Sequence, residues 1–336
     1  MDALPEFELL RPSTLSEALA ARAVHPDARL LGGGTDLMVN IRRGIVAPPV
    51  LIDMTGVTEL RAIKADARAL EIGASVTLSE LAVHPDVIKH YPVVAQAAHA
   101  IAGPTHRNMG TVGGNLCLDT RCIYYNQSEW WRAANAHCLK TTGTMCHVAP
   151  KSRGVCFATF SGDLAPALLV LEAEVELLDK DGMRRAGSLE RLYQDDGAKH
   201  LALQPGEIVA AVHLPPAKGR SGYAKLRARG SIDFPLAGVA MMLSLSNNLI
   251  RELRVAITGT NSRPFLVEGT QALAGAEPNE AASAALAKLV QKQVGPMRTT
   301  LSAADYRRQG AMVLARRLLA RLTKEDSPGE IQGETS

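Results

Sequence analysis

Two short glycine turns constrain this chain more than any other feature. Leu30-Leu31-Gly32-Gly33-Gly34-Thr35-Asp36-Leu37 sets three glycines between a short buried strand, Ala28 to Leu31, and a helical pattern, Thr35 to Arg43. Thr111-Val112-Gly113-Gly114-Asn115-Leu116 again joins glycines to side-chain donors. Glycine admits positive φ and lets another group approach the main chain with no Cβ in the way. Successive amides ahead of a helix can then nest phosphate oxygens. The first turn is no P-loop, since no Gly-Lys-Ser/Thr follows, and Leu37 stands where the Rossmann fingerprint wants its third glycine. Alone, such a turn reads equally as a tight strand-to-helix joint.

Around these turns the pattern alternates helix and strand. Thr14 and Glu17 open a helix, Leu15 to Val24, and Gly44 stops the one after the first glycine turn. A strand at Val50 to Asp53 and Gly56 close a first unit, residues 1–58. A second unit, 59–216, begins with a strand at Ala69 to Ile72, a helix capped by Thr77 and Glu80, and an apolar helix, Val93 to Ile101. It resumes later with strand-like alternation from Ala165 to Leu178, a turn at Asp181-Gly182, and a strand from Glu207 to Leu214. Pro215 to Gly222 reads as a boundary. Beyond it, 217–326 carries strands at Tyr223 to Arg229, Gly238 to Leu245 and Leu253 to Gly259, with Asn247-Asn248 as a hairpin turn. Two helices follow, Glu280 to Gln293 and Ala304 to Thr323, and the polar stretch 327–336 is expected to be disordered. On the last helix Met312, Val313, Leu318, Leu319 and Leu322 form a core-facing stripe. Arg307, Arg308, Arg316, Arg317 and Arg321 lie elsewhere on it, either as a solvated face or as a dock for an acidic partner surface.

Charge gives little: 37 basic against 34 acidic residues leave +3, too little to argue for nucleic acid or a membrane as partner. No apolar run approaches the ~20 residues of a membrane span. Met1 to Leu10 has no basic region of the kind that starts a secretory signal, so a cytoplasmic protein is expected.

The five cysteines, Cys117, Cys122, Cys138, Cys146 and Cys156, all fall between residues 117 and 156, in a stretch without a sustained period. Both tryptophans, Trp130 and Trp131, lie there too and are expected to form a small core for it. A long unpatterned segment in a compact domain is functional or is held by something other than its own packing. Confinement of every cysteine to it points to metal rather than disulfides. The gaps of 15, 7 and 9 residues after Cys122 match neither a zinc knuckle nor the compact ferredoxin run. Spacing alone leaves iron–sulfur, zinc and free thiols open.

Two glycine turns in neighbouring units suit the two phosphates and ribityl chain of a dinucleotide, and here a resemblance enters. LLGGGTDLMVNIRRG, AGPTHRNMGTVGGNL and SGDLAPALLVLEAEVEL, with YAKLRARGSIDFPLAGVA and RVAITGT near the end, resemble the FAD-binding subunits of the xanthine oxidase and carbon monoxide dehydrogenase family. The resemblance implies an α+β protein. Two α/β subdomains form a non-Rossmann FAD fold, and a C-terminal domain combines a small antiparallel sheet with helices. It also implies site roles by position. Leu31, Gly32, Gly33, Gly34, Thr35, Asp36 and Leu37 would wrap the pyrophosphate, and Thr111, Gly114 and Asn115 would hold the ribityl-phosphate region. Ile101 would lie against the isoalloxazine ring, Asp163 would hydrogen-bond FAD, Val209 would line the ring pocket, and Lys225 would sit near the flavin. On this reading Gly33 is bare against phosphate, so that Gly33→Val would release FAD and spare the fold.

Members of that family pass from the GGNL turn to the Asp-Leu-x-Pro segment in a few residues, whereas this chain makes a detour of about forty. The insert CLDTRCIYYNQSEWWRAANAHCLK resembles that of the β subunit of 4-hydroxybenzoyl-CoA reductase, which implies a [4Fe–4S] cluster on Cys122, Cys138, Cys146 and Cys156, with Cys117 left out. The resemblance further implies electron transfer without substrate chemistry. A large molybdopterin-bearing subunit and a small [2Fe–2S] subunit would be partners in a dimer of heterotrimers, with a ferredoxin-like protein as external donor or acceptor. The reaction implied is reductive dehydroxylation of 4-hydroxybenzoyl-CoA; the alternative is an oxidative hydroxylase of another aromatic or heterocycle.

Overall fold

The structure, a computed structural model, describes residues 4–65 and 69–324. The tail expected to be disordered lies outside the described residues. Twelve strands among them form three sheets. The first is parallel and small: β1 (Glu8–Leu10), β2 (Arg29–Leu31) and β3 (Val50–Asp53), in the order β1-β3-β2. The second is antiparallel, β4 (Ile63–Ala65), β5 (Leu70–Gly73), β6 (Glu174–Leu178), β7 (Arg184–Ser188) and β8 (Ile208–Leu214), in the order β4-β5-β8-β6-β7. The third is the antiparallel meander β9 (Arg220–Leu226), β10 (Ala237–Ser246), β11 (Leu249–Thr258) and β12 (Phe265–Leu266). Asn247 and Asn248 turn β10 into β11 with φ of 51° and 60°, the left-handed pair that a two-residue hairpin demands.

Each sheet has a core, but the first is not self-sufficient. Ile52, Met54, Val57 and Leu60 pack together with Leu178, Ile208 and Ala210 of the second sheet. Helices Leu78–Val83 and Pro92–Ala100 cover the middle core. Glu280–Gln293 and Ala304–Lys324 pack in one core with the third sheet through Leu286, Val290, Leu318, Leu319 and Leu322. Thr77 and Glu80 form the complete capping box read from the sequence. At the first helix Thr14 accepts from the Glu17 amide, while the Glu17 carboxylate turns back to the Ser13 amide.

Four readings are corrected. The stretch from Ala165 is no strand at first: Leu164–Leu169 is a helix, and only β6 is extended. Residues 164–171 are all buried, which erases the periodicity that separates a buried helix from a buried strand. Pro166 is tolerated because it sits in the first helical turn, where its missing N–H has no intrahelical acceptor. Second, β9 starts at Arg220 and ends at Leu226, several residues ahead of the expected strand. Third, Trp130 is 79% exposed and no core residue. The insert's core is Cys122, Tyr125, Cys156 and Ala158 with Ile45 of the first unit, too little to order forty residues by packing alone.

Fourth, Arg307 is fully buried rather than part of a basic face. Its guanidinium donates to Leu236 O at 3.1 Å, Met297 O at 3.0 Å, Thr299 Oγ1 at 3.1 Å and Gly259 O. Thr299 meets Thr159 at 2.6 Å and its carbonyl accepts from the Ile123 amide, so one arginine ties both ends of the insert to the last domain. Burial lowers its pKa to about 10, still charged at neutral pH. Of the other arginines, Arg316 pairs with Glu280 at 2.5 Å, and Arg321 reaches Gln96 Oε1 at 3.2 Å and Tyr223 O.

Leaving a buried acceptor without its donor costs about 1–3 kcal/mol. Arg307→Leu strands several acceptors, and a loss of more than about 2 kcal/mol is expected as a fall in the urea midpoint. A second expectation concerns His200, buried with Nε2 3.0 Å from Leu118 O and its pKa lowered from 6.5 to about 4 by burial. A histidine depressed on folding contributes stability that is full above about pH 6.5 and lost as pH falls towards about 4. His200→Gln should flatten that part of a stability-versus-pH curve, by at most about 3 kcal/mol.

Candidate functional site

The two glycine turns meet. An ideal Cβ on Gly33 would stand 1.6 Å from Met109 O, and one on Gly32 would stand 2.7 Å from Thr111 Oγ1. Main chain therefore lies against main chain where the first turn crosses the second. Gly34 completes the turn with φ of 72°. Thr111 caps the helix Val112–Leu116, its hydroxyl accepting from the Gly114 amide at 3.1 Å. Gly114 differs from Gly33: only Thr111 Oγ1, at 3.0 Å, would meet a Cβ there.

Between the turns opens a cleft of about 420 Å³, within the range of small-molecule sites. Gly32, Gly33, Gly34, Thr35, Asp36 and Leu37 line one side. Thr111, Gly114, Asn115, Ile101 and Asp163 line others. Three sequence-derived candidates are not on its surface. Leu31 ends β2 behind the turn, Val209 is buried within the middle core, and Lys225 stands behind Asp163. Residues that the sequence reading missed also line it, among them His106, Cys117, Asp119, Ile232 and Phe234. His106, Ile232 and Phe234 fall inside stretches that carried the family resemblance, but no chemical pattern singled them out.

Beneath the cleft lies a buried ionic contact. Asp163 accepts from Tyr223 Oη at 2.6 Å and from Lys225 Nζ at 3.1 Å, and Lys225 also donates to Ala100 O at 3.0 Å. Both charged side chains are almost wholly buried. Burial pushes the Asp163 pKa up and the Lys225 pKa down, and each partner opposes the other's shift. The pair and its hydrogen bonds offset the cost of burying either charge alone. β9 is thereby pinned to the backbone next to Ile101, so the third sheet fixes the floor of the cleft. Asn115 does similar work, its Oδ1 accepting from the Leu164 amide at 3.1 Å.

Cys122, Cys138, Cys146 and Cys156 are all buried and line a second, much smaller cavity with Tyr124, Tyr125, Lys140 and His147. The insert reaches it on a two-way backbone bridge between Arg121 and Thr159. Arg132, 97% buried as a residue, clamps the short insert helix Glu129–Ala134 to Gly44 O at 2.7 Å and to the Tyr125 and Gln127 carbonyls. Cys117 lies apart, facing the cleft, its thiol pushed up to about 12 by burial. Burial likewise raises Cys122, and raises Cys156 to about 11 against the pull of Lys140. Among the described residues no three or more His, Cys, Asp or Glu side chains are arranged to hold a single metal ion.

Comparison with known proteins agrees with this architecture. The family described as the FAD binding domain in molybdopterin dehydrogenase matches residues 5–217, and the CO dehydrogenase flavoprotein C-terminal domain matches residues 222–322. The chain belongs to the FAD-binding subunits of the molybdenum hydroxylase family. The FAD-binding subunit of an aldehyde oxidoreductase from Escherichia coli strain K12 is 34% identical over 79% of this chain and 85% of its own length. The carbon monoxide dehydrogenase medium chain of Afipia carboxidovorans is 25% identical over 94% of this chain and 97% of that one. Quinoline 2-oxidoreductase from Pseudomonas putida 86 shares the fold at 22% identity, with a TM-score of 0.77 over 96% of this chain and 99% of the other. These relatives are oxidoreductase subunits, and the expected α+β architecture with its antiparallel C-terminal sheet is the observed one. No described helix is long and apolar enough to cross a membrane.

The residues present fit a flavin dinucleotide: a glycine backbone on one wall, hydroxyls at Thr35 and Thr111, and apolar Ile101 opposite. The reason for glycine at position 33 is nevertheless corrected. It is demanded by the neighbouring turn rather than by a ligand, so Gly33→Val should unseat the two turns and lose thermal stability together with FAD. Gly114→Ala meets only the Thr111 hydroxyl, at 3.0 Å, and should stay folded while binding FAD at least about tenfold more weakly. Flavin content after gel filtration, read beside thermal melts of both variants, checks the contrast.

Proposed function

We propose that this chain holds FAD between its two glycine turns and one [4Fe–4S] cluster in its insert, and passes electrons between them as the flavin subunit of a molybdenum enzyme. The observation that carries this reading is the convergence of four cysteines, and not the fifth, on one buried cavity near the cleft. As bare thiols these groups would leave a long insert with little core of its own. A cluster ligated by all four would bind deprotonated thiolates and cross-link the insert at once.

In the FAD site, Gly32 to Leu37 would wrap the pyrophosphate, with Leu31 supporting the turn from the end of β2 and Thr111, Gly114 and Asn115 at the ribityl-phosphate region. Ile101 and Asp163 would face the ring, Lys225 would position Asp163, and Val209 would support the pocket from the core. This arrangement divides the chain into FAD subdomains, residues 1–58 and 59–216 with the insert at about 117–160, and a C-terminal domain, 217–326. A large molybdopterin-bearing subunit and a small [2Fe–2S] subunit are the partners proposed, in a dimer of heterotrimers. The names of the relatives, an aldehyde oxidoreductase and several dehydrogenases, favour an oxidising holoenzyme. The likeness of the insert to that of 4-hydroxybenzoyl-CoA reductase favours a second reading, reductive dehydroxylation fed by a ferredoxin-like donor.

Iron and acid-labile sulfide at four of each per FAD, beyond those of the small subunit, are expected in the anaerobically purified complex. Cys138→Ser should abolish the low-temperature EPR signal of the extra reduced cluster and keep FAD, whereas Cys117→Ser should keep both. Stoichiometric zinc in place of that iron would end the cluster reading. Turnover of an aldehyde or heterocycle with a dye acceptor, against turnover of 4-hydroxybenzoyl-CoA with a reduced low-potential donor, separates the two directions.

A further inference from the structure

The wall between the cleft and the cysteine cavity contains two buried cations. The Arg121 side chain is 11% exposed and that of Lys140 is 5% exposed. Both stand over the ring of Tyr125, at 5.4 and 5.1 Å from its centroid. Tyr125 and Lys140 line the cysteine cavity, while Asp119 and Asn40 line the cleft. Lys140 donates to Asp119 at 2.8 Å, to Thr120 Oγ1 at 2.7 Å and to Gly197 O at 2.7 Å. Arg121 reaches Asn40 Oδ1 and stands 3.9 Å from Asp119, yet its Nη1 is buried without a hydrogen-bond acceptor.

The opposing charge is weaker than a count suggests. Asp119 is 36% exposed, so water screens it. Asp36 acts on Arg121 from the cleft side, but burial raises its pKa and one of its oxygens accepts from Asn40 Nδ2 at 2.8 Å. Asp196 is half-buried and spends one oxygen on the amides of Cys156 and Ala198. The cations have no such outlet to solvent. Lys140, on the cavity side, pairs with the screened Asp119, and burying a cation there is unfavourable unless further negative charge lies within reach. The adjacent cavity is where that charge would be, since four thiolates bring it there.

We propose that Arg121 and Lys140 are positioning charges for the group held by the four cysteines: they balance its thiolates and raise its reduction potential. This assignment rests on the cluster proposed above. Reduction adds one electron and hence one negative charge to a four-thiolate cluster, with no bond made or broken. A fixed cation beside it favours the reduced form, and a fixed anion disfavours it. The wall then serves the flavin too, because it brings the acceptor's potential upward while standing between the two sites.

The test is an EPR-monitored redox titration of the intact complex, with iron, sulfide and FAD measured on each sample. Lys140→Met should lower the ratio of reduced to oxidised cluster at a fixed ambient potential by about tenfold or more. Asp119→Asn should raise that ratio, and Lys140→Arg should leave it near wild type. A purely structural role for the wall would loosen the cluster in both variants but would not move its potential in opposite directions. Clusters of unchanged potential in Lys140→Met and Asp119→Asn would overturn the inference and leave the cluster itself standing. Absence of the extra iron from wild type would instead sink the cluster reading, and this inference with it. Should Lys140→Met fail to retain its cluster, Asp119→Asn decides alone: an upward shift supports the assignment, and no shift overturns it.

Discussion

The rest of the molecule depends on a contact between two loops, one of which has no side chains to offer where they cross. Where Gly32 and Gly33 cross Met109 to Thr111, backbone presses on backbone at a distance that no Cβ could occupy. The parallel sheet delivers the first turn and the middle domain delivers the second. Their crossing fixes how these two units sit, and the cleft is the space left beside it. This explains why a sheet of three short strands is sufficient here. It borrows its core from β6 and β8 and its alignment from the glycine crossing.

Around that crossing, buried polar side chains tie distant parts of the chain together. Asp163, Tyr223 and Lys225 join the third sheet to the cleft floor, Arg132 joins the insert to the first unit, and Arg307 joins both ends of the insert to the last helix. Such groups contribute little net stability, because desolvation offsets most of the attraction. Their effect is geometric, since each is satisfied in only one relative placement of the parts it connects. The cleft and the cysteine cavity thus share a frame that hydrophobic packing alone would leave looser.

Much of this was legible in the sequence. Glycine turns, capping residues, the Asn247-Asn248 hairpin and the long terminal helices obey local rules, and each lies within a few residues of where those rules put it. The run of small and apolar residues after Asp163 misled because complete burial leaves no periodicity to read. Lys225 and Arg307 could not be judged from their neighbours in the chain, since Asp163 and Gly259, which meet them, lie 62 and 48 residues away in sequence. Eleven of the fourteen FAD candidates do line the cleft, and the reason for Gly33 emerged only once its opposing turn was in view. The cysteines were visible as a cluster in sequence. Their split into four and one follows from the bridge between Arg121 and Thr159, which no spacing rule encodes.

Arg307 also bears on the order in which the chain can mature. It is 148 residues beyond Thr159, and Thr299 is 140 beyond Thr159, so the base of the insert closes on segments that follow it by well over a hundred residues. A nascent chain that has emerged only as far as β10 has all four cysteines but lacks the contacts of Thr299 and Arg307 at the base of their loop. Contacts this distant in sequence form late, because the chain entropy of closing the loop must be overcome first. The last helix is therefore the latch that closes the base of the insert.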